Sequence, residues 1–281
     1  MPQRLCILTP DPDYYENWQP MADQYRALFG DALSFRSWTA PGDLSAFDLV
    51  LPLLAWGYQR DAERWAAALD AWTAAAVPLA NPAALLRWNT DKRYLGELAA
   101  KGVAIVPTLF AEALTDAELA SGHARFGAEI IIKPAISGGA DGTYRLGADG
   151  PLPGDVAGQT MLIQPMMPAI TEEGEYSLFY FGGQFSHAIL KRPAQGDFRV
   201  QEQFGGREIA VAAPAEAHAL AKASLAAAPE AALYARVDMV RGPDGDFRLM
   251  ELELIEPALF LHLADDKGAG LARAVAGLWS A

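Results

Sequence analysis

The chain has 281 residues, of which 52% are hydrophobic, 20% are charged and one is cysteine. A chain this apolar can bury a full core, which excludes extensive disorder. A single cysteine excludes a disulfide framework and a four-cysteine zinc site. The length predicts about two domains. The formal net charge of −13 argues against non-specific nucleic-acid binding, which depends on a basic surface.

The N-terminal segment has no pattern typical of a targeting signal. Its apolar run over residues 5–8 ends at Thr9 and Pro10, which is too short for the core of a signal peptide. Nowhere does the chain have about 18 uncharged apolar residues in succession, as a membrane span requires. We therefore predict a soluble, cytoplasmic protein with no membrane partner and no nucleic-acid partner.

The first eighty residues alternate short apolar runs with helical patterns. We predict strands at residues 4–8 and 48–53, and helices at residues 21–29 and 60–76. In the last of these, the spacing of Trp65, Leu69 and Trp72 favours core packing over a ligand site. The alternation predicts a small parallel α/β domain over residues 1–80.

The pattern changes at residue 81, and strands dominate after residue 128. The predicted helices are at residues 83–88, 92–100, 215–227 and 265–279. The predicted strands are at residues 129–133, 161–164, 176–181, 187–191, 233–241 and 247–254. Residues 89–91 can cap the helix at 92–100, which Gly102 ends. We expect a second, larger domain over residues 81–281.

A predicted strand delivers Lys133 to a loop rich in serine and glycine, residues 136–143. Glycines let backbone N–H groups approach phosphate oxygens closely, and a lysine supplies the counter-charge. The lysine precedes the glycines, so this is not a Walker loop, in which the order is reversed. A phosphate-binding loop and a plain hairpin turn beside an exposed lysine both fit these residues.

Two predicted strands that carry acidic residues flank the turn at residues 242–245. A four-residue loop places Asp238 opposite Leu249, so Glu251 and Glu253 share the face of Asp238. Like charges this close repel unless a cation lies among them, and oxygen ligands suit Mg²⁺. We favour a metal site over a solvated acidic sheet face, because uncompensated charge inside an apolar stretch is costly.

The main basic cluster spans residues 191–199. Lys191 and Arg199 are of the types that clamp a phosphoryl group or a carboxylate, although a solvated loop with stray cations is an ordinary alternative. The four histidines lack metal-ligand spacing, and His187 is interpreted as a core residue with satisfied hydrogen bonds.

Together and in this order, these segments resemble an ATP-grasp ligase of the glutathione synthetase and ribosomal-protein glutamate ligase branch. The resemblance covers about residues 81–279. It implies an α/β fold with α+β character in the C-terminal part, in which an ATP-grasp domain follows the small parallel α/β domain. Within the ATP-grasp domain it implies a central subdomain at about 90–165 and a C-terminal subdomain at about 166–281.

The resemblance also implies functional residues, because each matches a family motif. The nucleotide-binding residues that it implies are Lys92, Lys133, Ser137, Gly138, Gly139, Gln164, Met166, Met167, Glu175 and Arg199. The residues implied for phosphoryl transfer are Arg199, Lys191 and Lys133, and those implied for metal binding are Asp238, Glu251 and Glu253. Residues 164–167 match the hinge whose backbone holds adenine, and Glu175 matches the ribose-binding carboxylate. The implied cofactors are ATP and Mg²⁺, with Mn²⁺ as an alternative.

Two residues depart from the family pattern. Glu253 stands where the family usually has asparagine, so we expect tighter metal binding or a change in how the phosphates are held. Pro165 removes one backbone donor from the hinge but leaves the Met167 N–H. Segments 196–201 and 251–261 are most similar to D-cycloserine synthetase-type proteins.

The activity that the resemblance implies is an ADP-forming carboxylate–amine ligase or cyclase that acts on a small amino-acid-like or peptide substrate. A carboxylate attacks the γ-phosphate of ATP, and an amine then displaces phosphate from the acyl phosphate. Closure of the loop at residues 137–143 excludes water. Such ligases are often homo-oligomers. Two alternatives stay open, namely an ATP-binding module without turnover and a kinase-like enzyme that releases a phosphorylated product.

Overall fold

A computed structural model describes residues 4–14 and 17–279 of the chain. The first sheet is parallel and has the strand order β2-β1-β3. Its elements are β1 (Leu5–Thr9), α1 (Gln19–Phe29), β2 (Leu33–Ser37), β3 (Leu49–Leu51) and α2 (Ala62–Ala74). Trp65, Leu69 and Trp72 of α2 are all buried in one cluster with β1 side chains, which confirms the packing interpretation.

The second sheet is antiparallel and has the order β4-β7-β5-β6. Its part of the chain contains α3 (Ala83–Thr90), α4 (Tyr94–Ala100), β4 (Leu109–Ala111), α5 (Asp116–Phe126), β5 (Glu129–Pro134), β6 (Tyr144–Gly147) and β7 (Met161–Pro165). Helix α5 was not predicted, although Thr115 and Glu118 have capping-box spacing and the Thr115 hydroxyl accepts a hydrogen bond from the Glu118 N–H at 3.3 Å.

The third sheet is antiparallel, with the order β10-β9-β8-β11-β12. The elements here are α6 (Ala169–Glu172), β8 (Glu175–Phe181), β9 (Gln184–Arg192), β10 (Arg207–Ala210), α7 (Ala215–Ala227), β11 (Tyr234–Arg241), β12 (Phe247–Glu253) and α8 (Ala269–Gly277). The mixed α/β class with one parallel and two antiparallel sheets confirms the predicted fold class. We propose the domain division near residue 80 because the whole parallel sheet precedes it.

No helix within residues 4–14 and 17–279 is both long and apolar enough to cross a bilayer.

The predicted register of the β11–β12 hairpin is wrong. Asp238 pairs with Glu251, not with Leu249, because a β-bulge lies beside it and leaves Met250 as the extra residue of β12. Leu249 therefore pairs with Met239 and points into the core, where both side chains are buried. The bulge brings Glu251 directly opposite Asp238 on the face that is away from that core.

Side chains complete the outer edge of β12, whose C-terminal half has no neighbouring strand on that side among the described residues. Asn89 donates to the Leu252 carbonyl at 2.8 Å and accepts from the Leu254 N–H at 2.9 Å. The Tyr94 hydroxyl accepts from the Leu252 N–H at 2.7 Å and donates to its carbonyl at 3.0 Å. Of residues 89–91, predicted to cap the next helix, Asn89 does not do so, because its side chain is used by β12. Asp91 accepts from the Arg93 N–H at 2.9 Å, just before α4 begins at Tyr94.

Replacing Asn89 with alanine should lower the free energy of unfolding by about 2–4 kcal/mol. The change leaves one buried backbone donor and one buried acceptor of β12 without partners. Urea denaturation measures it, and Ser121→Ala, on the exposed face of α5, is the control, with an expected effect within about 0.5 kcal/mol. Equal losses in the two variants would contradict the edge role of Asn89.

His187 should make stability depend on pH in mildly acidic solution. It stacks on Phe179 with ring centroids 4.2 Å apart, and its Nε2–H donates to the Leu259 carbonyl at 3.1 Å. In the neutral ring Nδ1 accepts from the Ser186 hydroxyl at 3.0 Å, and burial lowers the pKa of His187 to about 4. The unfolded chain binds this proton near pH 6.5, so the stabilisation is complete above pH 6.5 and is lost as pH falls towards 4.

The expected loss from His187 over that interval is about 2–3 kcal/mol. Urea denaturation of the parent chain and of His187→Gln between about pH 4.5 and about pH 7.5 measures it. The variant should start less stable and show a shallower decline. Parallel pH profiles for the two proteins would refute the assignment.

Candidate functional site

A cleft of about 1180 Å³ is lined by strands of both antiparallel sheets and by loops of the N-terminal sheet. Every residue predicted for the site lines this cleft, namely Lys92, Lys133, Ser137, Gly138, Gly139, Gln164, Met166, Met167, Glu175, Lys191, Arg199, Asp238, Glu251 and Glu253. The fold therefore brings the whole predicted set together, and the individual roles stay predictions. Ligand sites are concave regions of this kind, with a few convergent polar groups.

A buried ion pair lies at the centre of the cleft. The Arg236 guanidinium donates to both carboxylate oxygens of Asp238, at 2.8–3.0 Å, and also contacts Glu253. The Ser177 hydroxyl donates to Asp238 at 2.5 Å. Burial acts to raise the pKa of Asp238, but Arg236 and Lys191 outweigh it and hold the pKa at about 2. Asp238 is therefore ionised and held in place at neutral pH.

Sequence reasoning missed Arg236. It lies two residues before Asp238 on the same strand, and side chains two apart on a strand share a face, so the signal was present.

Glu251 and Glu253 extend the acidic wall. Glu251 forms an ion pair with Lys92 at 3.2 Å, and Glu253 has Arg236 as its cation. Burial raises the pKa of Glu253 to about 8, although Arg236 opposes this shift. The side chains of Glu251 and Glu253 are 27% and 23% exposed, so both reach open space in the cleft.

These carboxylates do not form a ready metal cluster. Within residues 4–14 and 17–279, no three acidic, cysteine or histidine side chains converge closely enough to hold an ion. The physical reason is that Arg236 lies between Asp238 and Glu253. The donor set nevertheless fits a hard divalent cation, because it consists of oxygen atoms and two of its members face the cleft.

Lys191 and Glu175 form the second buried ion pair, at 2.9 Å. Lys191 also contacts Asp238 at 3.4 Å. Burial and Arg236 act to lower the pKa of Lys191, but the carboxylates of Asp238 and Glu175 outweigh them and raise it. Burial raises the pKa of Glu175 against the opposing charge of Lys191. Both predicted residues thus line the cleft while bound to each other.

Lys133 differs from the other basic residues of the cleft. In the described part of the chain, its ammonium forms no ion pair and no hydrogen bond. Burial lowers its pKa, although nearby Glu251 opposes the shift. A cation without a partner that faces a cleft is available to an anionic ligand.

The glycine-rich loop lies beside Lys92. The Lys92 ammonium donates to the Ser137 carbonyl at 2.5 Å and to its hydroxyl at 3.3 Å. Gly139 has a φ of +61°, a conformation that favours glycine, and its carbonyl accepts from Gln203 at 3.1 Å. Gln59 lies so close to Gly138 that its Nε2 would be 3.3 Å from a Cβ there. Two glutamines therefore lie against the loop, one at Gly138 and one at Gly139.

The predicted hinge keeps one backbone donor. The Met166 N–H donates to the Glu129 carbonyl at 3.2 Å, and Pro165 has no N–H to offer. The Met167 N–H donates to no backbone acceptor in the described residues, and Met167 lines the cleft. The Gln164 side chain donates to the Thr108 hydroxyl at 2.9 Å, which fixes β7 at this point.

Arg199 lines the cleft but is held by a neighbour. Its guanidinium donates to Asp197 at 2.8 Å and lies 3.6 Å from the centroid of the Phe204 ring. The hydrogen bond from Arg199 lowers the pKa of Asp197, although burial opposes it. The predicted contact with a phosphoryl group would require Arg199 to share or leave Asp197.

Comparison with known proteins gives a consistent set of relatives. Residues 5–81 match the family described as the N-terminal domain of the D-cycloserine synthetase DcsG. The cycloserine biosynthesis protein DcsG of Streptomyces lavendulae is 33% identical over 227 residues, which are 70% of this chain and 72% of that protein.

Two solved structures extend the likeness to the fold. The crystal structure of the D-cycloserine synthetase DcsG matches this chain with a TM-score of 0.80 and 26% sequence identity. The match covers 98% of this chain and 99% of the DcsG chain. The ATP-grasp ligase PsnB, solved with a variant of its minimal precursor, Mg and ADP, has a TM-score of 0.66 and 18% identity, and covers 98% and 99% respectively. PsnB supports the fold alone.

Replacing Arg236 with methionine should lower the free energy of unfolding by about 3–5 kcal/mol, because it leaves buried carboxylates without their nearest cation. The double variant Arg236→Met/Glu253→Gln should recover part of that loss. Urea denaturation in metal-free buffer measures both. The matched control is Arg273→Met, whose side chain is 72% exposed in its pair with Asp266 and should cost at most about 1 kcal/mol. Similar losses in Arg236→Met and Arg273→Met would contradict the central role of the pair.

Proposed function

This chain belongs to the ATP-grasp ligases, in the family of the D-cycloserine synthetase DcsG, and we propose that it closes a ring within a small amino acid. It is an ATP-dependent ligase, so the activity is that of an enzyme and not of a binding module. The proposal concerns the substrate. The carboxylate of the amino acid becomes an acyl phosphate, and a nitrogen of the same molecule displaces the phosphate.

One observation carries this choice of substrate. The segment that matches the N-terminal domain of D-cycloserine synthetase contributes Trp56, Tyr58 and Gln59 to the same cleft that contains Lys133 and Arg236. The segment that matches this family thus borders the cleft in which we propose that the substrate and the nucleotide meet. Two other features of the cleft, the carboxylate wall and Lys133 without an ion-pair partner in the described residues, supply the setting for phosphoryl transfer.

ATP is proposed to lie between the two antiparallel sheets. Lys92 and Lys133 would face its phosphates together with the backbone of Ser137–Gly139, and the Met167 N–H would meet the adenine edge. The Glu175 carboxylate would accept from the ribose hydroxyls if it shares its bond with Lys191. Binding is thereby supported by charge at one end of the nucleotide and by backbone hydrogen bonds at the other.

Glu251, Glu253 and Asp238 would hold Mg²⁺, for which Mn²⁺ is an alternative. Glu251 and Glu253 are both exposed to the cleft, with side chains 27% and 23% exposed, so their carboxylate oxygens are open to a cation there. Bound Mg²⁺ would neutralise charge on the transferring phosphoryl oxygens.

The chain's own residues then orient the reaction. Lys133 and Arg236 draw the substrate carboxylate and the γ-phosphate together, and Arg199 joins them when it leaves Asp197. A carboxylate oxygen attacks the γ-phosphorus and ADP leaves. The nitrogen then attacks the acyl carbon and gives up a proton, and phosphate leaves with the carboxyl oxygen. The loop at residues 137–143 keeps water from the acyl phosphate.

The test follows ADP release and product mass across a panel of amino acids that includes D-serine derivatives with a nitrogen in the side chain. Ring closure should give a product with the mass of the substrate less one water, and added hydroxylamine should trap the acyl phosphate as a hydroxamate. ADP release with a phosphorylated product that hydroxylamine does not intercept would instead support the kinase-like alternative.

Lys133→Met supplies the matched variant for that assay. We expect kcat/KM for ADP release to fall by about 10²–10³-fold, because an unpaired cation that meets the phosphates is removed. Lys222→Met, on the exposed face of α7, should retain parental activity. Unchanged activity of Lys133→Met would remove Lys133 from the mechanism.

A further inference from the structure

The end of the cleft beside the N-terminal sheet contains polar atoms that the phosphoryl-transfer chemistry does not use. We call this end the acceptor compartment and define it by Trp56, Tyr58, Gln59, Glu256 and Phe260, all of which line the cleft. The indole N–H of Trp56 donates to the Glu256 carbonyl at 3.3 Å and so joins the loop after β3 to the segment after β12.

Glu256 is a carboxylate without an ion-pair partner. Its side chain forms no ion pair within residues 4–14 and 17–279, whereas Glu251, Glu253, Glu175 and Asp238 each have a basic side chain within reach. Burial raises the pKa of Glu256 to about 7, although Arg236 and Lys92 act in the opposite direction. Its ionised form therefore lacks a counter-ion that the described chain itself supplies.

Two further acceptors line the same cleft. The Tyr58 side chain is 6% exposed, and its hydroxyl has no hydrogen-bond partner among the described residues. Burial raises the pKa of Tyr58, and Glu256, which lines the same cleft, is the charge that adds most to the shift. The Oε1 atom of Gln59 is buried and likewise has no partner in the described chain. Buried polar atoms without partners are rare and call for a ligand or ordered water.

These three groups share one chemistry. A carboxylate, an amide oxygen and a phenol oxygen can each accept a hydrogen bond, and a primary ammonium offers three N–H donors with one positive charge. A second carboxylate in this position would be repelled by Glu256. The proposed substrate has both groups, and its carboxylate must face Lys133 and the nucleotide, so its ammonium is the group left over.

We propose that the acceptor compartment binds the α-ammonium of the amino-acid substrate, with Glu256 as its counter-ion and with Tyr58 and Gln59 as hydrogen-bond acceptors. This inference rests on the proposed function, because it takes the substrate to be an amino acid. Gln59 also contacts the glycine-rich loop at Gly138, so ammonium binding and the position of that loop share one side chain.

Isothermal titration calorimetry tests the inference without turnover. D-serine and its hydroxy-acid counterpart D-glycerate are titrated into the full chain with a non-hydrolysable ATP analogue and Mg²⁺. The parent should bind D-serine at least about 10-fold more tightly, since a site built around a hydrogen-bonded charge rejects an analogue that lacks it. Glu256→Gln should weaken D-serine binding by about 10–100-fold and leave D-glycerate binding unchanged or tighter.

The controls separate this inference from the proposed function. Glu230→Gln, at an exposed position after α7, should bind D-serine as the parent does, and Tyr58→Phe should show a smaller loss in the same direction as Glu256→Gln. Equal binding of the two acids by the parent, no binding of either, or equal weakening of both by Glu256→Gln would overturn the inference. Preferential D-serine binding without ADP release from any amino acid would instead overturn the proposed ligase substrate and leave the ammonium site standing.

Discussion

The arrangement of the cleft depends on the bidentate ion pair between Arg236 and Asp238. Strand alternation puts both side chains on one face of β11, and pairing with β12 brings Glu251 and Glu253 to the same face. Buried carboxylates this close repel each other, and removing water makes each one costly to ionise. Arg236 contacts two of them at once, so it is the group that lets the acidic wall exist before any ligand binds.

The acidic wall also needs a rigid support, because its outer strand is at the edge of the five-stranded sheet. An edge strand normally leaves backbone groups unpaired, and such strands are mobile or prone to associate. Here Asn89 and Tyr94 pair with the backbone of residues 252 and 254, and Asn81 donates to the Leu254 carbonyl at 2.7 Å. Side chains from α3, α4 and the segment before them thus take the place of a sixth strand, and they fix the backbone on both sides of Glu253.

The sequence was sufficient for features that follow from period and motif order. These features include the alternating strands and the buried face of α2 that contains Trp65. They also include the presence of Lys133 and the carboxylates in one cleft. The β-bulge at Met250 was not, because nothing in a run of alternating residues marks where one extra residue enters. Arg236 was missed for a different reason. It lies on the same strand face as Asp238, but the prediction considered only the acidic residues of that face. Partner side chains such as Asn89 lie about 160 residues from the backbone they bond, beyond any local pattern.

The distribution of charge gives the cleft a direction. Towards the second sheet it has Lys133 without an anionic partner, and towards the N-terminal sheet it has Glu256 without a cationic one, as far as the described residues extend. A zwitterion that enters such a field is oriented, with its carboxylate at the lysine end and its ammonium at the glutamate end. Under the proposed function, the same polarity would decide which atom of an amino acid meets the γ-phosphate. A carboxylate oxygen would be delivered to the phosphorus and the α-nitrogen would be held away from it, so activation would take place at the acyl group and the ring-closing nitrogen would come from elsewhere in the substrate.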